Sequence, residues 1–148
     1  MRRLTCLWRA STLTLLFAVA ARAAEDVDPS TLYSISTEGT STHVKPGDKG
    51  RFVLAIKTKN GSHVSDEAPL KLELSGKYVV LAKTKLVHAD SVAPKVAGKE
   101  FADPRFEVPF TAAVDGKGSV DAKLTFFVCT EQLCSRQQRT LSVAVQVN

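Results

Sequence analysis

Apolar and polar residues alternate with period two through most of the chain beyond residue 50, and no comparable stretch keeps the 3.6-residue period of a helix. Phe52, Leu54 and Ile56 alternate with Arg51, Val53, Ala55 and Lys57, which predicts a half-buried strand closed by the turn dipeptide Asn60-Gly61. Leu70, Leu72 and Leu74 alternate with Lys71 and Glu73, and Ser75-Gly76 ends that run. Tyr78 to Leu86 reads as a third strand. Phe106, Val108 and Phe110 read as a fourth, in which Pro109 indicates an edge position or a bulge. Asp115-Gly116-Lys117-Gly118 is the strongest turn, and Val120–Cys129 and Leu141–Val147 complete the set. Six or seven short strands at this spacing predict an all-β two-sheet β-sandwich; a small closed barrel is the alternative that strand pattern alone leaves open.

The N-terminus has a different pattern. Met1-Arg2-Arg3 is a basic start, Ala10–Ala20 an apolar run, and Ala21-Arg22-Ala23 a small-x-small site before Ala24. These are the three parts of an export signal over residues 1–23. The run is too short to span about 30 Å of hydrocarbon. Cys6 and Trp8 leave with such a signal, and no cysteine stands at the cleavage point to carry a lipid. The expected product is periplasmic or secreted and does not span a membrane. Residues 24–43, acidic and then rich in Ser and Thr, read as a flexible lead-in with room for one short strand at Leu32, Tyr33 and Ile35. The folded domain is expected over 44–148, from around Pro46-Gly47-Asp48.

Processing changes the charge. The whole chain has 20 basic and 15 acidic residues, a net of +5. Without Arg2, Arg3, Arg9 and Arg22 it has 16 basic against 15 acidic, so the basic balance belongs mostly to the signal. Nothing here asks for a nucleic acid. Lys57-Thr58-Lys59 and Lys83-Thr84-Lys85 read as edge protection.

Two cysteines remain after processing, Cys129 and Cys134, one at a strand end and one just past a four-residue loop. An oxidising compartment lets them pair. Directly opposed residues of an antiparallel hairpin lie about 4.5–5.5 Å apart at Cα, within the reach of a disulfide. A loop of about six residues gives a chain-entropy gain of roughly 2 kcal/mol, against about 4 for a bridge closing fifty or more. Such a bond is a weak staple at an accessible place. Spacing alone leaves open whether it exchanges with other thiols or pins the last hairpin of a non-catalytic binding or structural module. Arg136 and Arg139 favour a thiolate, and Glu131 opposes one. Phe127 shares the cysteine face of its strand.

Other chemistries have less support. His43, His63 and His88 lack metal-ligand spacing, so neither a metal nor a cofactor is expected, although a metal-binding protein is a possible rival reading. His63 is placed to pack at its strand end or to tune the cysteines. No nucleophile elbow or glycine-rich phosphate loop is present.

Asn60-Gly61-Ser62-His63-Val64, Pro69, Gly98-Lys99-Glu100-Phe101, Phe106-Glu107-Val108-Pro109-Phe110 and the Cys129…Cys134 hairpin occur in a familiar order. From Val44 to Val147 the chain resembles the immunoglobulin-like N-terminal periplasmic domain of the DsbD-type thiol:disulfide interchange proteins. The resemblance implies that Cys129 and Cys134 are a redox pair, part of a protein-disulfide reductase system. It implies exported thiol/disulfide partners of thioredoxin-like type; since the family's membrane and thioredoxin-like domains do not follow Asn148, the chain is expected to borrow a separate membrane electron donor or to have none. The family's cap loop, which shields its cysteines with an aromatic, falls just before Gly98, where this chain has Val96 and Ala97.

Overall fold

The structure is a computed structural model and describes residues 27–59, 61–94 and 101–148. The expected export signal, Asn60, Val96 and Ala97, and the Gly98-Lys99-Glu100 part of the resemblance lie outside the described residues.

Among the described residues, ten strands form two sheets: β1 (Tyr33–Ser36), β2 (His43–Val44), β3 (Lys49–Thr58), β4 (His63–Val64), β5 (Lys71–Lys77), β6 (Val79–Leu81), β7 (Lys85–Val87), β8 (Arg105–Ala112), β9 (Gly116–Cys129) and β10 (Cys134–Val147). One sheet has the order β1-β3-β8-β6, and the other β2-β10-β9-β5-β7 with β4 also on β9. Assigning β1, β3, β6 and β8 to strands A, B, D and E, and β5, β9 and β10 to C, F and G, reproduces the ABED and CFG sheets of the immunoglobulin fold. The first strand also changes sheets after Ser36, since β2 runs parallel to the end of β10. The architecture is therefore an all-β, immunoglobulin-like two-sheet β-sandwich, and both sheets keep open edges, unlike a closed barrel.

The core follows the alternation. Phe52, Leu54, Ile56, Leu72, Phe106, Val108, Leu124, Phe126 and Val128 are all buried between the sheets. Tyr33 meets Phe126 edge-on, ring centroids 4.9 Å apart, and donates its hydroxyl hydrogen to Gln137 Oε1 at 3.2 Å. Its burial raises the phenol above its ordinary value, against the opposing field of Arg139. Of the stretch 24–43 expected as a lead-in, residues 27–43 include a 3₁₀ turn (Pro29–Leu32), β1 and the start of β2. Leu32 and Tyr33 belong to the core.

β9 and β10 begin earlier than their sequence reading, at Gly116 inside the expected turn Asp115–Gly118 and at Cys134 rather than Leu141, and three other strands differ in kind. The middle of β3 is buried on both faces, since Val53 is covered as fully as its inward neighbours and Ala55 is buried too. On the outer side, Glu107 stands opposite Val53, held by Arg105 at 3.0 Å and Arg51 at 3.1 Å, and Gly39 approaches the Val53 side chain. The single strand expected over Tyr78–Leu86 is two, β6 in one sheet and β7 in the other. Tyr78, with φ +62°, carries the chain from β5 in one sheet to β6 in the other, its carbonyl accepting from Ala113 N at 2.9 Å, and residues 82–84 carry it back to β7. Finally, β8 is an interior strand in unbroken register with β3, so Pro109 marks neither an edge strand nor a bulge. Its carbonyl accepts from Ala82 N, one residue past the end of β6. The ring nitrogen, on that same side, thus faces a point where the β6 ladder has stopped and no donor is required.

Candidate functional site

β9 and β10 form the longest ladder of the molecule, fourteen residues each, with unbroken register from Val147↔Gly116 to Cys134↔Cys129. Beyond Thr125, β5 no longer pairs with β9 and β4 takes its place, setting His63 opposite Cys129 and Val64 opposite Val128. His63, Cys129 and Cys134 therefore lie in one row across three strands. Directly opposed residues project to the same face. Val128, one residue earlier, points into the core, so the row lies on the outer face.

Local hydrogen bonds hold each part of this row. The loop between the cysteines closes on itself: Thr130 N donates to Leu133 O at 2.7 Å, and Leu133 N donates to Thr130 Oγ1 at 3.1 Å. His63 follows a turn at Gly61 with φ +70°, where the hydroxyl of Ser62 donates to Leu32 O at 2.8 Å. After β4, Ser65 N donates to Phe127 O at 3.0 Å, continuing the ladder by one bond.

Cys129 and Cys134 are joined by a disulfide, with Cα atoms 4.1 Å apart. The two cysteines stand directly opposite each other across the hairpin, as the sequence predicts, with their Cα atoms somewhat closer than the expected range of about 4.5–5.5 Å. The two sulfur-bearing residues differ in environment: Cys129 is 6% exposed, whereas Cys134 is exposed. The ring of Phe101 stacks on the His63 imidazole, centroids 3.9 Å apart and planes 11° from parallel. Thr58, Gly61, Ser62, His63, Phe101, Thr130 and Glu131 line an open depression of about 340 Å³ beside the disulfide. An aromatic thus does stand beside the cysteine row, and it is Phe101, just after the Gly98-Lys99-Glu100 segment. Adjacency in the fold was the missing signal, because Phe101 and Cys129 are far apart in sequence.

The sequence placed two arginines near the cysteines, and the ladder separates them. Arg136 pairs opposite Phe127 on the outer face, two residues from Cys134. Arg139 pairs opposite core-facing Leu124, and its guanidinium lies over the Tyr33 ring at 5.4 Å, so it is turned to the other face and away from the sulfurs. Glu131 stays in the depression. The three histidines are dispersed over β2, β4 and the 3₁₀ turn His88–Asp90, and no three His, Cys, Asp or Glu side chains converge among the described residues. Nor is any helix of the described residues long and apolar enough to cross a membrane.

No family model matches the sequence, and no curated protein matches it. Among solved structures, domains 4 and 5 of the S-layer protein SbsC are similar at 12% identity and a TM-score of 0.42, over 77% of this chain and 50% of that one. A lipoprotein from Bacteroides thetaiotaomicron is similar at 16% identity and a TM-score of 0.40, over 74% and 77%. An ASH/PapD-like domain of human CEP192 is similar at 13% identity and a TM-score of 0.30, over 93% and 98%. The chain spans half the length of the S-layer structure it matches. The strand order above, not these likenesses, is the basis of the fold assignment.

Proposed function

We propose that the protein is an exported thiol:disulfide interchange module, exchanging electrons with thioredoxin-like partners through Cys129 and Cys134. The observation that carries this reading is the asymmetry of the pair. A disulfide is opened by a thiolate attacking one sulfur, so one accessible sulfur and one sheltered leaving sulfur define a direction of attack. Here Cys134 is the exposed residue and Cys129 the sheltered one. The bond also joins residues that an unbroken ladder already holds opposite each other, so little folding energy depends on it. Arg136 lies on the same outer face two residues from Cys134, where a positive charge favours a thiolate. The basic start, apolar run and cleavage site of residues 1–23 support export to the periplasm or beyond.

The test is the order of reaction. Reduced protein treated with limiting iodoacetamide should be alkylated at Cys134 first, and Cys129→Ala should form a mixed disulfide with oxidised glutathione at Cys134 faster than Cys134→Ala does at Cys129. Equal reactivity, or preference for Cys129, would leave the second reading: a stapled, non-catalytic β-sandwich.

A further inference from the structure

The strand that carries Cys134 has an open side. On its outer edge β10 pairs with β2 only at Gln146 and Val147. From Cys134 to Val145 that edge has no strand partner among the described residues. The backbone groups that face it can be named. Gln146 N donates outward to Thr42 O, the register has no bulge, and antiparallel strands alternate the direction of their backbone groups. The N–H and C=O of residues 134, 136, 138, 140, 142 and 144 therefore face outward. Beside this edge, between β10 and β1, lies the 410 Å³ groove that includes Tyr33, Ile35, Arg139, Leu141 and Val143.

We infer that an exported thiol protein other than a thioredoxin-like one, with its reactive cysteine on an extended segment, docks by adding that segment as a strand to this edge, the cysteine opposite Cys134. This rests on the interchange reading above. The disulfide runs across the sheet from β9 to β10, and a thiolate must approach in line with the bond it breaks. The approach to Cys134 opposite the Cys129 leaving sulfur is over the free edge of β10. A residue in the next strand position, hydrogen-bonded to the outward-facing groups of Cys134, has its Cα about 5.5 Å away, within disulfide range. An added strand supplies its own main-chain hydrogen bonds and reads alternate side chains.

The chemistry of the strand follows from what it meets. Arg136 and Arg139 are the only charges on β10, and β1 has none. Asp28, whose carboxyl is held below its ordinary value chiefly by the Ser30 amide and hydroxyl, also feels Arg139, so the groove keeps one acid nearby. The complementary strand has acidic residues opposite the two arginines and apolar ones opposite Leu141 and Val143. A second copy of β10 would set arginine-bearing edges against each other, which disfavours self-pairing. In the reaction the partner thiolate bonds to Sγ of Cys134 as the Cys129–Cys134 bond breaks, its electron pair leaving on Sγ of Cys129, which takes up a proton. A second partner thiolate then attacks the partner sulfur of the mixed disulfide and releases Cys134. Two electrons and two protons pass from the partner dithiol to this pair, and the reverse path reduces a partner disulfide.

The probe is a capped peptide, Val-Thr-Val-Thr-Glu-Thr-Thr-Glu-Thr-Cys, antiparallel to β10, compared with glutathione as a thiol that cannot add a strand. The oxidised protein should react with the peptide thiolate roughly tenfold faster or more, thiolate for thiolate, because docking raises the effective concentration. Replacing both glutamates of the peptide by lysine should remove most of that advantage. Gln138→Pro deletes an outward N–H that makes no bond to β9, and proline is tolerated on an edge. It should abolish the peptide's advantage and leave the glutathione rate unchanged, which also reports that the variant is folded. A peptide no faster than glutathione, or equally fast on Gln138→Pro, overturns the docking inference and leaves the interchange reading standing. A bond inert to both thiols sinks the interchange reading itself. A β10-mediated dimer of the oxidised protein, lost in Gln138→Pro, would give the edge to a second copy and also overturn the inference.

Discussion

Reducing the Cys129–Cys134 bond should cost the fold little. The chain-entropy relation for a loop of about six residues gives about 2 kcal/mol at 25 °C. That is an upper figure here, because two fourteen-residue strands in unbroken register hold the same two residues opposite each other without the bond. Linkage makes the quantity reciprocal: the bond stabilises the fold by as much as the fold stabilises the bond against reduction. A stabilisation of about 2 kcal/mol therefore lowers the reduction potential by only about 40 mV relative to the same cysteines in the unfolded chain. The assay is equilibrium urea unfolding of the oxidised protein and of the protein held reduced by excess dithiol, followed by far-UV circular dichroism. With a slope of about 2 kcal/mol/M, the midpoints should differ by about 1 M or less. A difference of 4 kcal/mol or more would mean that the fold leans on the bond, and would refute the argument that the pair is free to cycle.

Further outcomes test the packing and the electrostatics. Phe126→Ala removes a fully buried ring that meets Tyr33 edge-on, and should cost about 3–5 kcal/mol in the same urea assay; a cost under 1 would contradict the placement of the core. Gly50→Ala would drive a methyl group into the Phe110 ring, so about 1–3 kcal/mol of stability should be lost although Gly50 needs no special backbone angle. The carboxyl of Glu107 is held below its ordinary value near 4.5, first by its bond to Arg105 and also by the charges of Arg51 and Arg105. A depressed carboxyl stabilises the fold above its unfolded-state value, and that contribution fades as pH falls from about 4.5 through the lower folded value. Glu107→Gln should therefore flatten the acid side of a urea-midpoint profile between pH 6 and 2, with unchanged slope above pH 6; a profile identical to the parent's would refute the coupling.

Where one face of a strand meets the core, the chain shows it plainly: Phe52, Leu54, Ile56, Leu72, Phe106, Phe110, Leu124 and Phe126 alternate in sequence and are buried in the fold. What alternation cannot show is the cover over an outer face, so the burial of Val53 and Ala55 was hidden by residues distant in sequence. Nor does it show a change of sheet inside an apolar run, because Ala82-Lys83-Thr84, between β6 and β7, has neither the glycine nor the proline that marks a turn. The site was legible to the same depth. A close cysteine pair between two alternating runs implied a hairpin and its disulfide, and the ladder has both. That Cys129 would be sheltered and Cys134 open, that Arg139 would turn inward, and that Phe101 would reach His63 all depend on strand neighbours from other parts of the chain.

The account stands most directly on the reduction potential of residues 24–148, measured by equilibration in glutathione buffers of graded composition, acid quenching and thiol alkylation. An exchanging pair should titrate near −270 mV or at a more oxidising value, about the range of thioredoxin and its relatives. A potential well below about −300 mV, where structural disulfides lie, would contradict the interchange function and leave a sandwich whose last hairpin is stapled shut.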